Sequence, residues 1–132
     1  MSLLYLDSSA LVKLIAREPE TPALVALLEP RPEVVSSALV RVEVLRAVAR
    51  ARRGKRALER AREVLSRVVL VAMDDPILEA AATLDPVEMR SLDAIHLATA
   101  LALGAEAEAI VSYDTRLNAA AAAIGLPVLT PR

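Results

Sequence analysis

The sequence has no cysteine, no tryptophan and no phenylalanine among its 132 residues, with one histidine and two tyrosines. Without cysteine there is no disulfide scaffold, no thiolate metal site and no thiol nucleophile. A single histidine, His96, excludes the common multi-histidine zinc sites. Tyr5 and Tyr113 alone do not supply the aromatic platforms on which single-stranded nucleic acid stacks. Long hydrophobic runs are also missing. The longest, such as Val68–Met73, fall far short of the ~20 residues that a membrane-spanning helix needs. The opening segment MSLLYLDSSALVKLIA has no basic leading region, and Asp7 interrupts its apolar stretch. No membrane association and a cytoplasmic location are therefore expected.

The chain is otherwise well supplied for a core. It is 55% hydrophobic with a net charge of -1, which excludes disorder. At 14.1 kDa a single domain over residues 1–132 is expected, burying roughly two thirds of the unfolded chain's surface. Short apolar runs read as strands buried on both faces: Leu3–Leu6, Val34–Val35, Val68–Ala72, Ala109–Ser112 and Val128–Leu129. Longer periodic segments separate them. Ser8–Ala16 follows the first strand directly. Thr21-Pro22 reads as a cap and first helical residue for Ala23–Leu28. Ser36 or Ser37 is expected to cap a long helix to about Arg53, broken by Gly54, with Lys55–Arg67 as the next helix. Asp74-Asp75-Pro76 opens a helix to about Thr83, Ser91 one to Leu103, and Asp114 or Thr115 one to Ile124. This alternation predicts an α/β fold with a central parallel sheet of four to five strands covered on both faces.

Four carboxylates stand where the pattern predicts burial or a strand end. Asp7 ends the first strand and Asp114 follows the fourth. Ligands of open α/β sheets bind outside the carboxyl ends of strands, so two such acids point to one crevice. Glu43 shares a helix face with Leu39, Val40, Arg46 and Ala47, and Asp93 opens the helix SLDAIHLATALAL. Each has an ordinary reading as well: Asp7 and Asp114 as helix caps, Asp93 as a first-turn acid, and Glu43 as a surface partner of Arg46 or Arg50. Together, four acids at one edge would repel unless a cation neutralised them. Oxygen-only ligands select a hard ion, Mg²⁺ or Mn²⁺.

Charge is unevenly spread. Residues 41–67 carry +7 and the remainder -8. The bases cluster around Gly54 as Arg50, Arg52, Arg53, Lys55 and Arg56, a candidate surface for RNA phosphates or for an acidic protein partner. A solvated helical pair with internal ion pairs such as Glu63–Arg67 is the plainer reading.

The segments LYLDSSALVKL (4–14), SSALVRVEVLRAVAR (36–50), SLDAIHLATAL (91–101), IVSYDTRL (110–117) and AIGLPVL (123–129) resemble, in order, those of PIN-domain ribonucleases. Within that family they are similar to the VapC toxins of toxin–antitoxin pairs. The resemblance implies a three-layer α/β/α sandwich with strand order 3-2-1-4-5, and places the family's acidic quartet on Asp7, Glu43, Asp93 and Asp114. It implies Mg²⁺- or Mn²⁺-dependent hydrolysis of RNA phosphodiesters by metal-activated water, leaving a 5′-phosphate and a 3′-hydroxyl. Asp7 and Asp93 become the principal metal ligands, completed by Glu43 and Asp114. Ser9 and Ser112 fall on supporting positions, Ser112 where threonine is frequent. The implied partners are an RNA substrate, an antitoxin protein and a second copy in a homodimer or a larger toxin–antitoxin assembly. His96, one turn from Asp93, invites a general-base reading; the reading preferred is a packed, hydrogen-bonded core histidine.

Two rival phosphoryl-accepting folds lack their residues. A dehalogenase-type motif needs a second acid where Ser9 stands, and a receiver needs a late lysine, whereas Lys55 is the last. No glycine-rich turn follows the first strand, so dinucleotide binding is excluded as well. A PIN-like scaffold without catalysis, and a PIN nuclease of RNA processing without an antitoxin, remain the alternatives.

Overall fold

A computed structural model describes residues 3–31 and 33–132. Five strands form one parallel sheet: β1 (Leu3–Leu6), β2 (Val34–Ser37), β3 (Val69–Val71), β4 (Ala107–Val111) and β5 (Val128–Leu129). Their order is β3-β2-β1-β4-β5, as the resemblance implies. The central strand β1 pairs with β2 on one side and β4 on the other, so its backbone groups are satisfied and its side chains meet helices on both faces.

Alternation along the strands divides the core in two. Leu4, Leu6, Ala109 and Val111 point to one face, where they meet α1 (Ser8–Ile15), α2 (Thr21–Leu28), α3 (Val40–Arg50) and α4 (Lys55–Ser66). Tyr5, Val35 and Ile110 point to the other, against Leu97 and Ala100 of α6 (Ser91–Leu103) and Leu117 and Ala121 of α7 (Thr115–Ala123). The helix α5 (Asp75–Ala82) packs on α6. Among the described residues no helix is long and apolar enough to cross a membrane.

Several boundaries differ from the sequence reading for physical reasons. Ser36 and Ser37 do not open a helix; they extend β2, paired with Leu70 and Val71 of β3, and both are fully buried. The hydroxyl of Ser36 donates to the Leu6 carbonyl, which removes the cost of burying it. Ser37 Oγ accepts from the Leu39 amide and turns the chain into α3, which starts at Val40. That helix ends at Arg50, not Arg53, because Arg52 (φ 52°) and Gly54 (φ 91°) take left-handed backbone. Thr21 is the first residue of α2 instead of its cap: its hydroxyl donates to the Lys13 carbonyl and accepts from the Glu18 amide. Ser112 lies just beyond β4, its amide still donating to Leu129.

Leu97 is fully buried between α6 and the sheet. Leu97→Ala should cost about 2–5 kcal/mol of unfolding free energy, read from urea midpoints at unchanged slope.

Candidate functional site at the junction of β1 and β4

The strand order reverses between β1 and β4, and the chain leaves both strands through acids. Asp7 follows β1 in extended backbone, is 3% exposed, and caps α1 by accepting from the Ala10 amide at 3.0 Å. Ser9 Oγ donates to the same oxygen at 2.6 Å, and Ser112 Oγ donates to the other at 2.7 Å. The two hydroxyls also take backbone amides of the segment after β4: Ser9 Oγ accepts from Tyr113, and Ser112 Oγ from Asp114. Both supporting serines named from the sequence therefore lie on Asp7. Burial pushes the Asp7 carboxyl above the usual carboxylate range, against the lowering effect of Ser9, Ser112 and Ala10. None of the donors bonded to Asp7 is a cation.

Asp93 sits in the first turn of α6, 8% exposed. Asp114 caps α7, its Oδ1 accepting from the amides of Arg116 and Leu117. Arg90, immediately before α6, joins the two. Its Nε lies 3.0 Å from Asp93 Oδ2 and its Nη2 lies 3.3 Å from Asp114 Oδ2. Sequence reasoning did not single out Arg90. The signal available was its spacing of three residues from Asp93 at a helix start.

Glu43, in the first turn of α3, pairs with neither Arg46 nor Arg50. Its Oε1 lies 2.7 Å from His96 Nε2, and His96 Nδ1 lies 2.7 Å from the Tyr5 hydroxyl. Tyr5 is fully buried, and burial raises its pKa far enough to keep the phenol protonated. The hydroxyl can then donate to Nδ1, leaving Nε2–H to donate to Glu43. The two rings meet edge to face at 5.8 Å. His96 is the packed, doubly bonded histidine preferred from the sequence, but its partner is one of the four acids.

All four acids thus have partners within the chain. Ser112 links Asp7 to the segment carrying Asp114, Arg90 links Asp93 to Asp114, and Tyr5 and His96 lead to Glu43. Among the described residues, no three acid or histidine side chains are grouped closely enough to hold a metal ion as they stand. The donor chemistry nevertheless suits a hard cation: the acids offer only oxygens, and Asp7 is a buried carboxyl met only by neutral donors. A cation, the Arg90 guanidinium, is already seated on two of the four acids.

The basic residues Arg50, Arg52, Arg53, Lys55 and Arg56 are all exposed around the turn between α3 and α4. None is ion-paired among the described residues. Arg50, Arg52 and Lys55 line shallow depressions with Ala49, Val48 and Leu58. Arg50 lies seven residues from Glu43, about 10 Å along the helix axis. Not every base in the segment is free: Arg60 donates to the Leu14 carbonyl at the end of α1, and Arg67 pairs with Glu63 at 2.8 Å.

The model of the PIN domain family matches residues 4–123. The chain is 45% identical to Ribonuclease VapC46 of Mycobacterium tuberculosis, over 99% of both chains. It is 38% identical to Ribonuclease VapC47 of the same species, over 98% of this chain and 97% of the relative. Among solved structures it is similar to Mycobacterium tuberculosis VapC20, described as a Sarcin-Ricin loop cleaving toxin, with a TM-score of 0.75 at 20% identity. That match covers 97% of this chain and 99% of the other. It is also similar to a chain of a toxin–antitoxin complex from Klebsiella pneumoniae, with a TM-score of 0.72 at 25% identity, over 99% and 98% of the two chains.

Because the folded protein holds the Asp7 proton more tightly than the unfolded chain, ionising Asp7 costs stability. Its contribution is greatest below the ordinary carboxylate value of 3.8 and is lost as the pH rises through the raised folded value. In EDTA, Asp7→Asn should therefore raise the urea midpoint at pH 7. The gain should vanish at pH values below 3.8, where both side chains are neutral. A midpoint at pH 7 lower than that of the parent would show that the carboxylate stabilises the fold.

Proposed function

This chain belongs to the PIN-domain family, in its VapC branch, and on that footing we propose that it is a metal-dependent endoribonuclease, the toxin of a toxin–antitoxin pair. The observation that carries the reading is Asp7: a buried carboxyl at the reversal of strand order, bonded to two serines and an amide but to no cation. A buried anion in that position calls for a counter-charge from outside the core.

Asp7 and Asp93 are the residues we assign to hold Mg²⁺ or Mn²⁺, with Glu43 and Asp114 completing the site directly or through water. When bound, such an ion polarises a phosphoryl oxygen and makes water a stronger nucleophile. The chain's own residues prepare the site. Ser9 and Ser112 fix the direction of the Asp7 carboxyl through one bond on each oxygen. Tyr5 and His96 hold Glu43, so its carboxylate is oriented before any ligand arrives. The α7 amides hold Asp114 by Oδ1, leaving Oδ2 to Arg90.

RNA is then held by charge and shape, since the chain has no phenylalanine or tryptophan to stack on bases. The exposed bases Arg50, Arg52, Arg53, Lys55 and Arg56 are assigned to RNA phosphates or to an antitoxin. The similarity to a toxin–antitoxin complex supports an antitoxin as partner. A homodimer within the cytoplasm completes the proposal.

Mapping cleavage ends in total RNA tests it. With Mg²⁺ or Mn²⁺ the protein should create new ends bearing a 5′-phosphate, and EDTA should abolish them. Asp7→Asn and Asp93→Asn should lower the rate by about 100-fold or more while keeping the parent's circular dichroism. Identical ends from the parent, its variants and EDTA controls would sink the enzyme and leave a scaffold.

A further inference from the structure

Arg90 occupies two of the four acids, yet it is built to leave them. Its side chain is half exposed, at 50%, and its backbone is extended at the residue before α6, outside the packed helix. Each acid receives one nitrogen instead of a paired fork, and Nη1 has no hydrogen bond among the described residues. Ion pairs of this exposure contribute little to stability. Asp93 and Asp114 have firmer anchors than Arg90 does: Asp93 lies within α6, and Asp114 is tied to two α7 amides. When the pairs break, the arginine is the member free to move.

We propose that Arg90 is a substrate-phosphate ligand held in reserve on the acids. It neutralises Asp93 and Asp114 in the resting protein, surrenders them to the divalent ion, and then pairs with the RNA phosphate entering beside that ion. The divalent ion and the guanidinium compete for the negative charge of the same two carboxylates, so binding of the one weakens the hold of the other. The freed planar fork matches two phosphate oxygens, which a lysine ammonium does not. It stands at the mouth of the site because Arg90 adjoins the helix that carries Asp93. This inference rests on the metal-dependent nuclease reading above.

Calorimetric titration of Mn²⁺ into the full-length protein, Arg90→Gln, Arg90→Lys and Asp93→Asn provides the first measurement. Cleavage of total RNA at Mn²⁺ concentrations saturating for each provides the second. In Arg90→Gln, Mn²⁺ should bind about 2- to 10-fold tighter, because the competing cation is gone. The RNA concentration giving half-maximal rate should rise about 3- to 10-fold, and the slope of log kcat/KM against log salt should fall in magnitude by about 0.7–0.9. Arg90→Lys should restore part of the salt slope but little of the half-maximal concentration. The two effects of Arg90→Gln have opposite signs, whereas an arginine that merely braces the acids would weaken both metal and RNA binding when lost. Unchanged or weaker Mn²⁺ binding in Arg90→Gln, or an unchanged RNA requirement, overturns the proposal. If the parent binds Mn²⁺ and cleaves, Asp93→Asn does neither, and Arg90→Gln equals the parent, only this inference fails. If no variant, parent included, binds Mn²⁺ or cleaves, the nuclease reading fails and this one with it.

Discussion

The bonding of Asp7 is the constraint on which the rest of the site depends. Its carboxyl lies at the seam between the two central strands, and a buried acid there is tolerable only if both oxygens are satisfied. Ala10 and Ser9 cover one oxygen and Ser112 covers the other. These three donors come from both sides of the seam, so satisfying the acid also fastens the end of β1 to the end of β4. Each serine is used twice, donating to Asp7 and accepting an amide from residues 113–114. The direction of the chain after β4, and with it the placement of Asp114, follows from the demands of a single buried carboxyl.

The same economy applies to the other acids. A first-turn acid on α3 would ordinarily be solvated, but Glu43 meets a core histidine whose far nitrogen is bonded to a phenol on β1. Tyr5 lies on β1 and Asp7, two residues on, continues it in extended backbone. The central strand therefore sends two polar groups, through different partners, to the same end of the sheet. Capping leaves a second oxygen for another partner: Asp7 and Asp114 each use one carboxylate oxygen to start a helix, and the other accepts from Ser112 in Asp7 and from Arg90 in Asp114. The capping reading of these two acids holds, and it occupies only one oxygen of each carboxylate.

This explains what could be read from the sequence and what could not. The strands and the sheet order were legible, because strands buried on both faces are continuous apolar runs and because the motifs occur in family order. The start of α3 was not, since Ser36 and Ser37 are typical capping residues, and only the pairing of β2 with β3 makes them strand residues. The four acids were legible as misplaced charges. Their partners were not. The ordinary reading of Glu43 offers it Arg46 or Arg50 within its own helix, whereas its partner is 53 residues away. Local spacing reports contacts within an element; the junction of α3, α6 and β1 is a product of tertiary packing. Arg90 was overlooked because an arginine before a helix has no periodicity to mark it.

The near-neutral total charge has a corresponding structural meaning. Acids and bases do not cancel pair by pair. Asp7, Glu43, Asp93 and Asp114 are each held by a specific partner at the carboxyl end of the sheet, while the bases around Gly54 are exposed and form no ion pair among the described residues. Screening acts on these two regions differently. The exposed bases attract an anion over a distance of about one Debye length, ~8 Å in physiological salt, and hold it weakly. The enclosed acids interact at short range, in a lower effective dielectric, and repel a polyanion until their charge is answered. A bare acidic pocket would therefore repel any polyanion drawn to the basic surface. The two halves of this charge distribution can serve one ligand only if a cation stands between the acids and the phosphate. The guanidinium of Arg90 already occupies that place for Asp93 and Asp114, whereas Asp7 and Glu43 are held by hydrogen bonds from Ser9, Ser112, Ala10 and His96.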